Sequence, residues 1–131
     1  MDIVSPQLSV AIVDDERSVR TSMTRLLRSS GIHSEAFASG AEFLGHLGTA
    51  SCQVVLLDIH LPGLTGFELL KRIRDERPEL AVIMITGYED PDVRRRAFEA
   101  GAKGFLLKPF TFTELFDALQ ALRDNGTQVP A

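Results

Sequence analysis

Strand-like and helix-like segments alternate strictly along this chain, and the alternation restricts its fold more than any other feature. Five runs of strand length are each followed by a segment with helical apolar spacing. The runs are Leu8–Val13, His33–Phe37, Val54–Leu57, Ala81–Ile85 and Gly104–Leu107. This order predicts an α/β fold, in which right-handed crossovers place five helices on both faces of a parallel sheet. A chain of 131 residues fits one such domain.

Start and stop signals mark the helices. The first is predicted from about Glu16 to Ser30, and Gly31 ends it as a C-terminal cap. Caps at the start of later helices are predicted at Ser39 with Glu42, at Asp90 with Pro91 and at Thr111 with Glu114. The buried faces are predicted to carry Val19, Met23, Leu26 and Leu27, then Phe67, Leu70 and Ile73, then Val93, Ala97 and Ala100, and finally Leu115, Leu119 and Leu122. Asn125–Gly126 is expected to stop the last helix.

Composition excludes several classes of protein. The net charge of −4 argues against a free-standing nucleic-acid binder, which is usually basic. Cys52 is the only cysteine, so an internal disulfide is impossible, and an inert thiol is expected there. The first residues lack the pattern of a signal peptide, and no apolar run approaches the roughly 20 residues of a membrane span. We therefore expect a cytoplasmic protein.

Five chemically active residues close four of the strand-like runs: Asp14, Asp15, Asp58, Thr86 and Lys108. The carboxyl ends of parallel strands meet at one edge of a sheet, which is where ligands bind in open α/β folds. Three crowded carboxylates repel one another, and a divalent cation relieves that repulsion. The set therefore suits a divalent cation and a phosphoryl group. Taken alone, the first two acids could simply cap a helix, and the lysine could simply be solvated.

At these residues the chain resembles a two-component response-regulator receiver domain. The resemblance lies in four blocks that run in order along nearly the whole chain. They are Ile12-Val13-Asp14-Asp15-Glu16, Leu57-Asp58-Ile59-His60-Leu61-Pro62-Gly63, Met84-Ile85-Thr86-Gly87 and Gly104-Phe105-Leu106-Leu107-Lys108-Pro109-Phe110. It implies the flavodoxin-like strand order 2-1-3-4-5. Further likeness to the FixJ-type subgroup is carried by the stretch from Val19-Arg20 through Met23, by Leu26-Leu27, Phe37-Ala38-Ser39 and Glu42-Phe43-Leu44, and by Thr86-Gly87.

The resemblance also implies a role for each site residue. Asp58 would be phosphorylated by a histidine kinase or a phosphotransfer protein. Mg²⁺, or Mn²⁺ in its place, would be held by Asp14, Asp15, Asp58 and the backbone carbonyl of His60. Lys108, before a cis proline, and Thr86 would contact the phosphoryl oxygens. Phe105 would be the switch aromatic, because its ring can fill the space that Thr86 vacates.

The same resemblance implies partners and boundaries. Residues 1–126 would form the receiver domain, and 127–131 would be a tail or the start of a linker. Phosphorylation would switch the surface of helix 4, strand 5 and helix 5, and so control a homodimer or a DNA-binding output domain that is absent from these residues. No turnover of external substrates, no direct nucleic-acid binding and no membrane contact are expected. Two alternatives stay open: a stand-alone adaptor or phosphate sink, and a Mg²⁺-dependent phosphohydrolase of small molecules.

The remaining arginine, histidine and tyrosine residues of note are expected to have simpler roles. Arg94-Arg95-Arg96 is read as a solvated helix face, with partner docking as its functional alternative. His33 and His46 show no spacing typical of metal ligands. His60 and Tyr88 each lie two residues past a site residue, so their side chains are expected to overhang the site. Bulky Tyr88 is hypothesised to restrict the attacking water and lengthen the life of the phosphoryl group.

Overall fold

The computed structural model describes residues 8–124, in which five strands alternate with five helices. The strands are β1 (Ser9–Val13), β2 (His33–Phe37), β3 (Val54–Asp58), β4 (Ala81–Thr86) and β5 (Gly104–Leu107). The helices are α1 (Arg17–Ser29), α2 (Gly40–Leu47), α3 (Gly66–Glu76), α4 (Pro91–Glu99) and α5 (Phe112–Asp124). Within the described residues, each predicted strand and the predicted first helix are confirmed to within about two residues. Asp58 and Thr86 are themselves the last residues of their strands.

All strands are parallel, in the order β2-β1-β3-β4-β5, which confirms the expected topology. The most apolar strand, β3, lies at the centre and is buried along its whole length. Val13 of β1 pairs with Leu57 of β3, so Asp14 and Asp58 leave neighbouring strands at the same level. The chain turns to opposite sides of β1 to form β2 and β3, and this reversal opens a crevice at the carboxyl edge of the sheet.

Two apolar layers hold the helices against the sheet. On one face, α2, α3 and α4 contribute Phe43, Leu70 and Ala97 to the core. On the other, α1 and α5 contribute residues such as Leu27 and Leu119. Continuous burial of both sheet faces explains why the central strands are uninterrupted apolar runs. Within residues 8–124, no helix combines the length and apolar character needed to cross a membrane.

The predicted caps are largely confirmed. Ser39 accepts a hydrogen bond from the Glu42 amide, Asp90 from the amides of Asp92 and Val93, and Thr111 from that of Glu114. The Glu42 carboxylate accepts a hydrogen bond from the Ala38 amide rather than from the amide of Ser39. Thr65 and Glu68 form a further capping box on α3, which the sequence analysis missed. Residues Asn125–Gly126, the predicted stop of α5, lie outside the described part of the chain.

One detail of the helices differs from the prediction, and one alternative interpretation of the acids does not apply. Ala100 was predicted to face inward but is exposed, because α4 ends at Glu99 and the chain turns there through Gly101, whose φ is +106°. Asp15 does not cap α1. Glu16 occupies the N-cap position without a side-chain hydrogen bond, so the carboxylate of Asp15 stays available for other ligands.

Candidate functional site

The crevice gathers the three predicted acids. Asp14, directly after β1, is 1% exposed, and Asp58, at the end of β3, is 5% exposed, whereas Asp15 is exposed. One carboxylate oxygen from each lies within 4.8 Å of the others. Carboxylate oxygens are the ligands that Mg²⁺ and Ca²⁺ prefer. The cluster therefore has the donor chemistry of a site for a hard divalent cation.

Lys108 reaches into the same cluster from the end of β5. Its Nζ lies 2.8 Å from Asp14 Oδ2, 3.2 Å from Asp58 Oδ2 and 3.6 Å from Glu16 Oε1. The Lys108 amide also donates to the backbone carbonyl of Thr86 at 2.7 Å, which ties this residue to the end of β4. The Lys108–Pro109 peptide bond is cis, as the resemblance implied.

The pKa values of Asp58 and Lys108 both lie above the ordinary values of these groups. Burial raises the pKa of the Asp58 carboxyl, and the nearby Asp14 carboxylate adds to that effect, although the His60 amide and Lys108 oppose it. Burial alone would lower the pKa of Lys108, but its contacts with the Asp14 and Asp58 carboxylates outweigh burial and raise the pKa. The ammonium group therefore partly compensates two buried carboxylates that crowd each other.

Backbone groups orient the two buried acids. The Glu16 amide donates to Asp14 Oδ1 at 2.9 Å, and the Arg20 guanidinium donates to the Asp14 carbonyl at the same distance. The His60 amide donates to Asp58 Oδ1, also at 2.9 Å. In each acid one carboxylate oxygen is held by the chain, and the other faces Lys108. The packing of Gly66 brings α3 against this loop, because a Cβ there would lie 2.6 Å from the Asp58 carbonyl oxygen.

Thr86 lies beside the acids with its side chain 1% exposed. Its Oγ1 accepts a hydrogen bond from the Tyr88 amide at 3.2 Å and lies 3.1 Å from His60 Nε2. The rings of His60 and Tyr88 meet edge to face, with centroids 5.3 Å apart. Both rings are on the exposed side of the site, and Tyr88 is 70% exposed.

Phe105 is half-buried on β5, next to an aromatic and cationic surface. The guanidinium of Arg94 lies 5.3 Å from the centre of the Phe105 ring and 5.4 Å from that of Phe98. Phe98 and Leu107 are among the exposed large apolar residues of the described chain. This surface of α4 and β5 therefore presents apolar area outside the core.

The three consecutive arginines are engaged within α4 and its neighbours. Arg94 stacks on two phenylalanines, Arg96 lies 4.9 Å from the centre of the Phe67 ring, and Arg95 pairs with Asp92 and Glu99. These contacts agree with the interpretation as a helix face and give no support to nucleic-acid binding.

The remaining candidates lie apart from the site. His33 and His46 are exposed, and neither belongs to a group of metal ligands among the described residues. Burial raises the pKa of the Cys52 thiol to about 11, so this cysteine is a poor nucleophile at neutral pH.

Three contacts of the site were not predicted from the sequence: that of Glu16 with Lys108, that of Arg20 with the Asp14 carbonyl, and that of His60 with Thr86. The helical position of Arg20, six residues past Asp14, was a usable signal for the second contact. The third joins residues 26 positions apart. The sequence indicates this contact only through the adjacency of the ends of β3 and β4 in the sheet. That adjacency does not determine the direction in which the His60 ring points.

Known proteins resemble the chain over most of its length, including the residues of the site. Residues 10–120 match the family described as the response regulator receiver domain. The chain is 41% identical over 103 residues to the DNA-binding transcriptional regulator NtrC of Klebsiella pneumoniae, covering 79% of this chain and 22% of that protein. It is 30% identical over 112 residues to the response regulator protein TodT of Pseudomonas putida, covering 86% and 49%.

A solved structure gives the same result for the fold. The crystal structure of a response regulator receiver domain protein from Clostridium thermocellum superposes with a TM-score of 0.82 at 30% identity, covering 91% of this chain and 97% of that one. The chain spans about a fifth of the length of NtrC and about half that of TodT.

Proposed function

Because the chain belongs to the response regulator receiver domain family, we propose that it is the phosphoacceptor of a two-component system and is phosphorylated on Asp58. The observation that carries this proposal is the meeting of the Asp14, Asp15 and Asp58 carboxylates at one edge of the sheet, with Lys108 Nζ in contact with those of Asp14 and Asp58. Asp58 is the acid at the end of the central strand, with one carboxylate oxygen held by the His60 amide and the other facing Lys108.

The donor set fits Mg²⁺, with Mn²⁺ as a substitute. Asp14, Asp15 and Asp58 would supply carboxylate oxygens, and the His60 backbone carbonyl would supply a neutral one. These residues would hold the cation, which would supply positive charge to offset that of the carboxylates and of the incoming phosphoryl group. A backbone ligand tolerates any side chain, so a histidine at position 60 is compatible with this role.

Phosphoryl transfer needs little beyond position and charge. A carboxylate oxygen of Asp58 attacks the phosphorus of a phosphohistidine on the kinase, and a carboxyl–phosphate bond forms while the phosphorus–nitrogen bond breaks. The histidine nitrogen leaves with the electron pair and takes up a proton. Lys108 holds a phosphoryl oxygen, and Thr86 donates to another. The half-reaction modifies the protein itself, and we expect no turnover of external substrates.

The switch would follow from the movement of Thr86. When its hydroxyl turns toward the phosphoryl group, the space behind it admits the ring of Phe105, which is half-buried in this structure. That ring would leave its place beside Arg94 and Phe98, so the surface of α4, β5 and α5 repacks.

The consequence we propose is homodimerisation through this surface and control of an output domain. The exposed apolar side chains of Phe98 and Leu107 support it, and NtrC is itself a DNA-binding transcriptional regulator. Sedimentation with and without beryllofluoride and Mg²⁺ tests dimerisation. The expected result is a doubled mass with both present, and an unchanged mass would contradict it.

Three further assignments belong to this proposal. Membership of the FixJ-type subgroup, the extent of the domain (1–126, followed by a tail or linker) and a cytoplasmic location are proposals from the motifs quoted above. The family match favours a receiver over a phosphohydrolase of small molecules. The likeness to NtrC, a DNA-binding transcriptional regulator, favours control of an output domain over a stand-alone adaptor or phosphate sink.

Intact-mass analysis tests the proposal. The protein is incubated with acetyl phosphate and Mg²⁺, and the expected result is the gain of one phosphoryl group by the wild type and none by Asp58→Asn. Chelation of Mg²⁺ is expected to prevent the gain. An equal gain by Asp58→Asn would refute the assignment of the phosphoacceptor.

A further inference from the structure

The hydroxyl group of Thr86 has two partners in the described chain. The Tyr88 amide donates to Oγ1 at 3.2 Å, and His60 Nε2 lies 3.1 Å from the same oxygen. With 1% of the residue exposed, water has little access to this hydroxyl. The hydrogen bonds of Thr86 can therefore be assigned from these two partners.

Proton accounting fixes the direction of the bond to His60. A threonine hydroxyl carries one proton to donate and can accept two hydrogen bonds. The Tyr88 amide can only donate, so it cannot take the hydroxyl proton. The one acceptor among the two partners is His60 Nε2. A buried hydroxyl proton without an acceptor is costly, so Thr86 donates to Nε2, and Nδ1 carries the ring proton.

We propose that His60 is a positioning residue whose ring engages the single hydroxyl proton of Thr86 before phosphorylation and so opposes the switch. This proposal rests on the proposed function, in which the same proton is donated to a phosphoryl oxygen. Thr86 cannot donate to both groups at once. Phosphorylation must therefore displace the imidazole, and the His60–Thr86 bond stabilises the unphosphorylated arrangement.

The position of His60 makes it suited to this role. Its amide donates to Asp58 Oδ1 at 2.9 Å, while its ring contacts Thr86. One residue thus joins the phosphoacceptor to the switch residue. The ring is also held from outside by the edge-to-face contact with Tyr88. A change at the Asp58 carboxylate therefore acts directly on the residue that holds Thr86.

Affinity for beryllofluoride, measured by calorimetry at fixed saturating Mg²⁺, tests the energetic part of the proposal. His60→Phe keeps a ring against Tyr88 but removes the acceptor. Since one hydrogen bond contributes about 0.5–1.5 kcal/mol, it is expected to bind beryllofluoride about 2- to 10-fold more tightly than the wild type. His60→Gln carries an acceptor oxygen at a similar reach and is expected to match the wild type.

Three results would overturn this energetic role: His60→Phe binding no more tightly than the wild type, or His60→Gln behaving like His60→Phe, or tighter binding of Mg²⁺ alone by His60→Phe. The last would place the effect on the metal site instead of the switch. Because His60 is exposed at the surface, both variants are expected to fold.

Nitrogen NMR of the histidine rings at pH 8 tests the bond itself and needs no phosphoryl analogue. His60 is expected to carry its proton on Nδ1, and Thr86→Val is expected to change that pattern. His46 is an internal reference, since its Nδ1 lies 3.0 Å from the Glu42 carbonyl, which can only accept. A proton on His60 Nε2 would overturn the assignment.

The two proposals fail in different ways. If the wild type neither binds beryllofluoride nor gains mass from acetyl phosphate, the proposed function is wrong, while NMR still decides the His60–Thr86 bond. If the wild type does both and the His60 variants are unchanged, the phosphoacceptor stands and the positioning role is wrong.

Discussion

Lys108 Nζ lies 2.8 Å from Asp14 Oδ2, although 94 positions separate the two residues in the chain. The contact joins the end of β1 to the end of β5, which are not neighbours in the sheet. It exists because all parallel strands deliver their carboxyl ends to one edge. The same lysine contacts Asp58, so it compensates two buried carboxylates at once.

Replacement of Lys108 by methionine is expected to destabilise the protein by about 3 kcal/mol without Mg²⁺, because it leaves Asp14 and Asp58 buried without a cation. Mg²⁺ is expected to restore more stability to this variant than it adds to the wild type. Urea unfolding with and without Mg²⁺ measures both effects. Lys103→Met is the control, since Lys103 is exposed, and it is expected to change stability by less than about 0.5 kcal/mol. Equal Mg²⁺ effects in Lys108→Met and the wild type would contradict compensation.

Asp58→Asn is expected to stabilise the Mg²⁺-free protein near neutral pH. The pKa of the Asp58 carboxyl is higher in the folded than in the unfolded chain, so the folded state binds the proton more tightly. The free energy of unfolding therefore falls as pH rises above the ordinary carboxyl value of 3.8. The variant lacks this loss, and a gain of about 1 kcal/mol would raise Tm by roughly 4 °C.

Thermal unfolding of Asp58→Asn and the wild type at pH 4 and pH 7 measures the difference, which is expected to be larger at pH 7. Asp117→Asn, on the exposed face of α5, controls for the loss of one negative charge. A difference that shrinks toward pH 7 would show that the sign is wrong.

Gly66→Ala is expected to damage both the fold and the site. A Cβ at this position would lie 2.6 Å from the Asp58 carbonyl oxygen and from Ile59 Cα, so the loop that carries Asp58 must shift. The expected cost is about 2 kcal/mol, with slower phosphorylation by acetyl phosphate. Gly45→Ala is the matched control, because nothing lies within 4 Å of its Cβ. It is expected to gain about 0.5–1 kcal/mol in α2. Normal phosphorylation of a stable Gly66→Ala protein would contradict the close packing.

Tyr88→Ala is expected to lose its phosphoryl group faster than the wild type, because the ring beside His60 would no longer restrict the attacking water. Tyr88→Glu is expected to do the same, whereas Tyr88→Phe keeps the ring and is expected to match the wild type. The decay of phosphorylated protein after removal of the donor measures the rate. Equal or slower decay in the alanine and glutamate variants would refute shielding.

The helices and strands could largely be predicted, because their formation depends on interactions between residues that are close in the sequence. Apolar runs buried on both faces mark β1, β3 and β4, and short polar side chains such as Ser39 and Asp90 satisfy the first amides of their helices. Strand order came from resemblance, since periodicity does not say which strands pair. The error at Ala100 arose because apolar spacing continues one residue beyond Glu99, where α4 ends before the turn at Gly101.

The site could be predicted as a set of residues but not as a geometry. The ends of strands β1, β3, β4 and β5 identify Asp14, Asp58, Thr86 and Lys108 because topology brings those ends together. The direction of a side chain beyond its strand depends on loop packing. That is why the ring of His60 against Thr86, and the use of Glu16 rather than Asp15 at the start of α1, became visible only in three dimensions.

The most direct measurement is to locate the phosphoryl group. Protein phosphorylated with acetyl phosphate and Mg²⁺ is treated with borohydride, which reduces an acyl phosphate to the alcohol, and the peptides are then sequenced by mass spectrometry. The expected product is homoserine at position 58 only, and its formation should require Mg²⁺ and be strongly reduced in Lys108→Met. Reduction at position 14 or 15, or phosphorylation that persists without a divalent cation, would contradict the assignment of Asp58 as a metal-dependent phosphoacceptor.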